Sequence, residues 1–185
     1  MFMKKFSIKQ LFSYGAAIFI QKFTAFLILP IIAGYLSLSE FGLVNQIVSI
    51  GGFYILIVMF GLDESIAKKG FDSDEKRGAY MLNGFVLLAL NIAIFCMLTL
   101  FFSDFFYINF LGDVENVFIV LSIALVSSSP FYIVYLKVLR LSNKSKEFFL
   151  VVLAQVVIQT TLMLSLIVGS GMGAKGFILS HLISS

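Results

Sequence analysis

Long apolar stretches that are nearly free of charge dominate this sequence. Five of them can cross a membrane as helices, because a hydrocarbon core of about 30 Å needs about 20 helical residues. The predicted spans cover about residues 11–36, 43–61, 81–102, 117–139 and 148–169, and a sixth opens at 176 and stops at Ser185. We therefore predict an all-α, polytopic transmembrane helical bundle. Because the sixth span is cut short, we expect residues 1–185 to be a single N-terminal unit of a larger protein.

The composition excludes a water-soluble globule. Hydrophobic residues make up 60% of the chain and charged residues only 12%, whereas soluble domains are close to half apolar and a quarter charged. The formal net charge of +3 is not a sign of nucleic-acid binding, because the basic residues form short clusters between apolar spans. Such clusters set membrane topology. We expect no nucleic-acid partner.

The basic residues lie almost entirely on one side of the predicted membrane. Of the 13 Lys and Arg residues, eleven lie in the N-terminus, the connection 62–80, and the end of the fourth span with its following loop: Lys4, Lys5, Lys9, Lys68, Lys69, Lys76, Arg77, Lys137, Arg140, Lys144 and Lys146. The opposite connections hold the cation Lys175 and the anions Glu40, Asp104, Asp113 and Glu115. The positive-inside rule therefore places the N-terminus in the cytoplasm.

Short loops and isolated reactive side chains restrict the chemistry. Loops of roughly 6 to 19 residues force neighbouring helices to pack antiparallel, and they are too short to hold a folded catalytic domain. Cys96 and His181 are the only residues of their types, so neither a disulfide framework nor a thiolate or His-rich metal site is expected. We predict a protein that acts in or across the membrane, is not an enzyme, and needs no cofactor or metal.

Lys22 is the most unusual residue within the spans. It lies 13 residues after Lys9 and 15 before Ser37, roughly 20 Å from either helix end, which is too far for its side chain to reach the interface. A central lysine is penalised by about 2.5–3.5 kcal/mol on insertion scales. It must therefore face a cavity with a function, or pair with a carboxylate on another helix, or reflect an accident of register. The three interpretations remain open at this point.

Several amide side chains also lie inside predicted spans. Gln155 and Gln159 are four residues apart and share one helix face, and Asn83 and Asn91 share a broad face of another span. Any one amide is more simply explained by hydrogen bonding between packed helices. Their recurrence in several spans favours a hydrated internal cavity. We take Lys22, Asn91, Gln155 and Gln159 as candidate substrate-binding residues.

Charges close two of the spans on the predicted cytoplasmic side. Asp63 and Glu64 follow the second span, and Lys137 and Arg140 end the fourth. Most charges in such positions are solvated and orient the helix. In a second interpretation, Lys137 and Arg140 lie at a cavity mouth and attract phosphate, so Arg140 joins the candidate substrate-binding residues.

Three segments of the chain resemble the bacterial oligosaccharide flippases. The first is YLSLSEFGLVNQIVSIGGFYILIVMFGLDESIAKK, with an outer turn that includes residues 38–42 and with Gly61, Leu62 and Asp63 at its cytoplasmic end. The second is the basic loop VLRLSNKSKEFFLVVLAQVV, and the third is the Gly-rich entry to the sixth span, GMGAKGFILSHLIS. The resemblance runs over most of the 185 residues, and these would be about the first half of a family member.

This resemblance implies the multidrug, oligosaccharidyl-lipid and polysaccharide exporter superfamily, whose transporters have about 12 to 14 helices in two lobes around a central cavity. It implies export of undecaprenyl-pyrophosphate-linked repeat units for O-antigen, lipopolysaccharide or capsule across the bacterial inner membrane, by alternating access. Implied partners are the lipid-linked oligosaccharide, membrane lipid, a proton or sodium coupling ion, and polysaccharide polymerase and chain-length machinery. Family members usually carry further internal Arg or Lys, whereas Lys22 is alone in mid-span here.

Two other functions are considered beside the flippase. An exporter of cationic drugs on the same fold would need an acidic cavity, and the spans hold no mid-membrane Asp or Glu. An integral-membrane glycosyltransferase or glycan polymerase would need clustered carboxylates, His or Arg beside large loops, and the longest loop here is the 62–80 connection. The sequence therefore favours the flippase.

Overall fold

The computed structural model describes residues 8–72, 77–102 and 116–185, and the regular structure within these ranges is helical. The helices are α1 (Ile8–Ala33), α2 (Leu38–Met59), α3 (Leu62–Asp72), α4 (Arg77–Phe101), α5 (Asn116–Leu141), α6 (Ser145–Met163) with its π-helical continuation (Leu164–Gly169), and α7 (Gly173–Ser184). The topology charges Lys4, Lys5, Lys76, Asp104, Asp113 and Glu115 lie outside the described residues. Within them, the all-α prediction is confirmed.

Within the described ranges, five helices are long and apolar enough to cross a membrane. They are Gln10–Ala33, Leu38–Met59, Gly78–Phe101, Val120–Leu141 and Ser145–Gly169. These correspond to the five predicted spans, so the chain is a multi-pass membrane protein. α7 has 12 residues and occupies the position of the predicted sixth span.

The predicted start of the second span at residue 43 is wrong by five residues. Ser37 caps α2, because its Oγ accepts a hydrogen bond from the Glu40 backbone N–H at 3.3 Å. The Glu40 carboxylate accepts one in return from the Ser37 N–H at 2.9 Å. This reciprocal capping box satisfies two backbone donors that a helix start otherwise leaves without partners. The helix therefore begins at Leu38, inside the stretch that the sequence pattern predicts as a loop.

The sequence pattern predicts a loop for the connection 62–80. The structure instead has helix α3 in this connection. The chain turns sharply between α2 and α3, where Phe60 and Gly61 have φ angles of +32° and +78°. α3 then packs against α4 and α5, and its Ile66 side chain is buried. Ile66 fits over Gly84, where a Cβ atom would lie too close to the Ile66 side chain. Glycine at this position lets the two helices approach.

Spatial order differs from chain order. α1 packs mainly against α6 and touches the π-helical segment, but α1 and α2 share few contacts although they are consecutive. The expectation that all consecutive helices pack side by side is therefore wrong for this pair. α5 is central and contacts α2, α3, α4, α6 and α7. α7 packs against α6, α5 and α2.

Buried apolar side chains form clusters between the helices, while large apolar side chains cover the outside. One cluster joins α1, α5 and α6 around Tyr14 and Phe148, whose rings lie 5.0 Å apart edge to face. A second joins α2, α3, α4 and α5. On the outer surface Phe12, Phe53 and Met97 are largely exposed. In a bilayer such side chains face lipid, which is as apolar as they are.

Two of the segments that carry the family resemblance meet at the predicted outer end of the bundle. Glu40, in the capping box of α2, also accepts a hydrogen bond from the Ala174 N–H at the start of α7, at 3.3 Å. Gly173 has a φ angle of +54°, and a Cβ atom there would collide with the Glu40 carboxylate. The chain enters α7 by a turn that only glycine adopts without strain.

Candidate substrate cavity

A cavity of about 300 Å³ lies between α1, α6 and α7. Its apolar lining includes Ile28 and Ile32 on α1, Met163 on α6 and Phe177 on α7. The polar lining residues are Gln21, Lys22, Thr24, Gln155, Gln159, Thr160 and His181. Helix α1 places Lys22 here because α1 packs against α6, so the face of α1 that carries Gln21 and Ala25 is turned toward the polar face of α6.

Lys22 is exposed and makes no ion pair with any carboxylate whose side chain the structure describes. Those carboxylates have other partners: Asp63 and Glu64 bind Lys137, Glu147 binds Lys144, and Glu40 binds backbone N–H groups. The cavity interpretation of Lys22 therefore agrees with the arrangement of the described residues, and the ion-pair interpretation finds no partner among them.

Gln155 links three helices at the wall of the cavity. Its Oε1 accepts a hydrogen bond from Gln21 Nε2 on α1 at 3.0 Å and another from the Tyr132 hydroxyl on α5 at 2.5 Å. Both lone pairs of the carbonyl oxygen are thus used within the protein. These hydrogen bonds hold the Gln155 side chain in the wall of the cavity that Lys22 also lines. The amide nitrogen of Gln155 can then donate a hydrogen bond to a ligand.

Gln159 and His181 form a second polar contact one helical turn further along α6. The Gln159 Nε2 atom lies 3.2 Å from His181 Nδ1 and 2.9 Å from His181 Nε2. The imidazole ring also packs against Phe177, with ring centroids 4.7 Å apart. The contact joins α6 to α7 and presents a histidine to the same cavity as Lys22.

Two of the five predicted site residues lie away from this cavity. Asn91 on α4 donates a hydrogen bond to the Val58 carbonyl on α2 at 3.2 Å, an interhelical contact of the kind that a single amide commonly makes. Arg140 is exposed near the end of α5, and its backbone carbonyl accepts a hydrogen bond from the Tyr14 hydroxyl at 3.4 Å. The structure brings Lys22, Gln155 and Gln159 together and leaves Asn91 and Arg140 apart from them.

Lys137 forms a charge cluster with Asp63 and Glu64 and does not line the cavity. Its ammonium group lies 2.7 Å from Asp63 Oδ2 and 2.5 Å from Glu64 Oε1, both on α3. Partial burial favours a higher pKa for Asp63, but the hydrogen bond and charge of Lys137, together with backbone N–H groups, outweigh burial and lower this pKa. The second interpretation of the Lys137 and Arg140 pair, as a phosphate-attracting mouth, is therefore wrong for Lys137.

Gln21 and His181, which line the cavity, and Tyr132, which bonds to Gln155, are not among the site residues that the sequence predicts. Gln21 gives no signal beside Lys22, Tyr132 gives none apart from its place in a span, and a single histidine such as His181 does not indicate a His-rich metal site. An ionisable residue within an apolar segment is itself a signal of a functional site, and this signal could have identified His181.

The described part of the chain has five membrane-length helices and a cavity with several amides and a lysine that pairs with no described carboxylate. These features define a multi-pass membrane protein with a polar internal site. The sequence profile of a family described as polysaccharide biosynthesis protein matches residues 7–184. The chain belongs to this family, and the family resemblance is thereby confirmed. No curated protein and no solved structure shows significant similarity to it. It is a membrane protein of polysaccharide biosynthesis.

Proposed function

We propose that this protein is a transporter, not an enzyme, that flips undecaprenyl-pyrophosphate-linked oligosaccharide repeat units across the bacterial inner membrane. The units would supply O-antigen, lipopolysaccharide or capsule synthesis. The pyrophosphate and sugars pass through the polar interior of the bundle by alternating access, while the lipid tail stays in the bilayer. Membership of the polysaccharide biosynthesis family and the multi-pass helical fold support this proposal.

The charge of the cavity is the observation that carries the proposal. Among the residues that the structure describes, its lining includes the cation Lys22 and no Asp or Glu. A pyrophosphate diester carries two negative charges, and an ammonium group with no competing carboxylate attracts it. Because the site lies within apolar surroundings, the attraction is screened less than it would be in water.

The remaining polar lining suits the sugar next to the pyrophosphate. Gln155, Gln159 and Thr160 present amide and hydroxyl groups that can exchange hydrogen bonds with sugar hydroxyls. The volume of about 300 Å³ is at the small end of ligand sites. It fits the charged head of the cargo, and the longer glycan must extend beyond it.

The same lining disfavours export of cationic drugs, because a cationic cargo would be repelled by Lys22 and would find no carboxylate in the described cavity. The glycan polymerase alternative differs in the membrane leaflet on which its substrate accumulates. A proton or sodium gradient would drive the flippase, and the polymerase and chain-length machinery would receive its product.

The test is the location of lipid-linked repeat units in a strain that lacks the protein. We expect single units to accumulate on the cytoplasmic leaflet, where an impermeant glycan-modifying probe added outside cannot reach them, and full-length protein to restore surface glycan. Units that accumulate unpolymerised on the outer leaflet would instead identify a polymerase. Unchanged amounts and locations of the units would contradict both functions.

A further inference from the structure

His181 occupies a position that the proposed function does not use. It is the only histidine of the chain, it lines the same cavity as Lys22, and its ring is held between Phe177 and the Gln159 amide. A histidine beside a lysine in one cavity can add a second positive charge when it is protonated.

The contact with Gln159 favours the neutral form of the ring. A neutral imidazole has one nitrogen with a lone pair and one N–H, whereas a protonated ring has two N–H groups and no lone pair. The Gln159 Nε2 group is a donor, and it lies within hydrogen-bond distance of both ring nitrogens. At nearly equal distances from both nitrogens, the amide N–H group lies against the face of the ring, where a neutral imidazole accommodates a donor better than a protonated one does.

The charges around the ring also keep it neutral until an anion arrives. Lys22 faces the cavity from α1, and the polar groups of α6 in the lining are uncharged. On α5, Tyr132 bonds to Gln155, and on α2, Glu40 bonds to the Ala174 N–H at the far end of α7. The π-helical segment has no ionisable side chain, and Lys175 on α7 lies over the Phe118 ring. No described carboxylate is thus near enough to offset a proton on His181.

We propose that His181 is a second anion-binding group of this cavity, and that its ring takes up one proton from water when a pyrophosphate diester binds. The proton bonds to the ring nitrogen that carries the lone pair, and the Gln159 amide rotates so that its carbonyl oxygen accepts a hydrogen bond from one of the two ring N–H groups. The other N–H then donates to a phosphate oxygen. Two cations, Lys22 and the His181 imidazolium, balance the two charges of the pyrophosphate. This inference rests on the proposed function, since it assumes an anionic cargo.

If binding requires one added proton, the affinity falls about tenfold for each pH unit over the range in which the ring is neutral in the free protein and protonated in the complex. The probe is a dialkyl pyrophosphate diester, because its two ionised oxygens do not titrate near neutral pH. Its affinity for the purified full-length protein is measured calorimetrically from about pH 6 to about pH 8. Repeating the titration in buffers of different ionisation enthalpy counts the protons taken up.

For the wild type we expect close to one proton taken up per pyrophosphate at the alkaline end, and a dissociation constant that rises about tenfold per pH unit. His181→Gln keeps a hydrogen-bonding side chain but cannot gain a proton, so its affinity should vary less than about twofold over the same range. Binding by the wild type with no proton uptake overturns the proposal, and this measurement needs no variant to fold.

A parallel titration of Lys22→Ala separates this inference from the proposed function. If wild-type protein and Lys22→Ala bind the diester equally, the cavity is not the anion site and the proposed function loses its support. If Lys22→Ala loses binding while the wild type binds without pH dependence, the anion site stands and only the role of His181 is wrong.

Discussion

Two lysines in this bundle have opposite surroundings. Lys22, in the middle of α1, lines a cavity and has no described carboxylate beside it. Lys137, near the end of α5, is only 12% exposed and contacts Asp63 and Glu64. Both lysines belong to helices that qualify as membrane spans. The difference shows that a lysine within a span is either neutralised by the fold or left with its charge available to a ligand.

The path of the chain beside each lysine produces the difference. The turn at Phe60 and Gly61 directs α3 back against α4 and α5, so that its first residues, including Asp63 and Glu64, reach Lys137. α1 packs instead on α6, and the cavity-facing side chains of α6 are amides, hydroxyls and apolar groups. A stabilising role is therefore expected for Lys137 and a ligand-binding role for Lys22.

The largest expected effect is on transport by Lys22 variants. Lys22→Ala should abolish glycan export, whereas Lys22→Arg should retain much of it, because charge and reach are kept. Removing a central charge lowers the insertion penalty by up to about 3 kcal/mol, so the alanine variant should be at least as abundant in the membrane. Surface glycan and membrane abundance are measured together. Normal export by Lys22→Ala would exclude cargo binding, and loss of the protein would point to a structural ion pair.

Next in size is the effect of Lys137→Met on stability. This change leaves the partly buried Asp63 carboxylate without its cation and should lower the free energy of unfolding by about 1–3 kcal/mol. The matched control is Lys144→Met, since the Lys144 and Glu147 side chains are about half exposed and their pair should contribute less than about 1 kcal/mol. Thermal unfolding in detergent measures both variants. Equal losses would show that Lys137 has no special structural role.

A somewhat smaller loss is expected when the docking of α3 is disturbed. Gly84→Ala places a methyl group against the buried Ile66 side chain and should cost about 1–2 kcal/mol by overpacking. Gly52→Ala is the control, because no atom lies within 4 Å of its added Cβ and alanine favours a helix. If the Gly84 variant is as stable as the control, the contact between α3 and α4 does not hold the Lys137 cluster in place.

The smallest expected effect is a pH dependence of stability. Because the folded protein lowers the pKa of Asp63, its ionised form stabilises the fold above the ordinary value of about 4, and this contribution disappears as the pH falls through the lowered pKa. The loss should be below about 1 kcal/mol. Unfolding at about pH 7 and about pH 3 should therefore differ more in the wild type than in Asp63→Asn. An equal difference in both proteins would remove Asp63 as the cause.

Hydrophobicity alone was enough to find the five spans, because a bilayer requires about 20 apolar residues per helix whatever the helix packs against. The boundaries were harder, since α2 begins within a polar turn whose capping bonds depend on side-chain geometry. α3 was missed because it is short and carries four charged residues among its first eight, Asp63, Glu64, Lys68 and Lys69, a pattern also typical of a loop.

The candidate site was only partly predictable. The cost of a central charge identified Lys22, and helical spacing put Gln155 and Gln159 on one face, because both arguments depend on one helix at a time. Asn91 has the same sequence signal as Gln155, yet it contacts the Val58 carbonyl at the interface of α4 with α2. Which amide meets a cavity depends on which helices become neighbours.

The sequence by itself determined that this chain crosses the membrane as helices and that one span carries a charge it cannot move to the interface. Only the tertiary structure decided that α1 packs on α6 rather than on α2, and so that Lys22 faces Gln155, Gln159 and His181. The physical reason is that each helix satisfies its backbone hydrogen bonds by itself, which is all that crossing the bilayer requires. Which helices become neighbours depends instead on the fit of side chains from segments far apart in the chain.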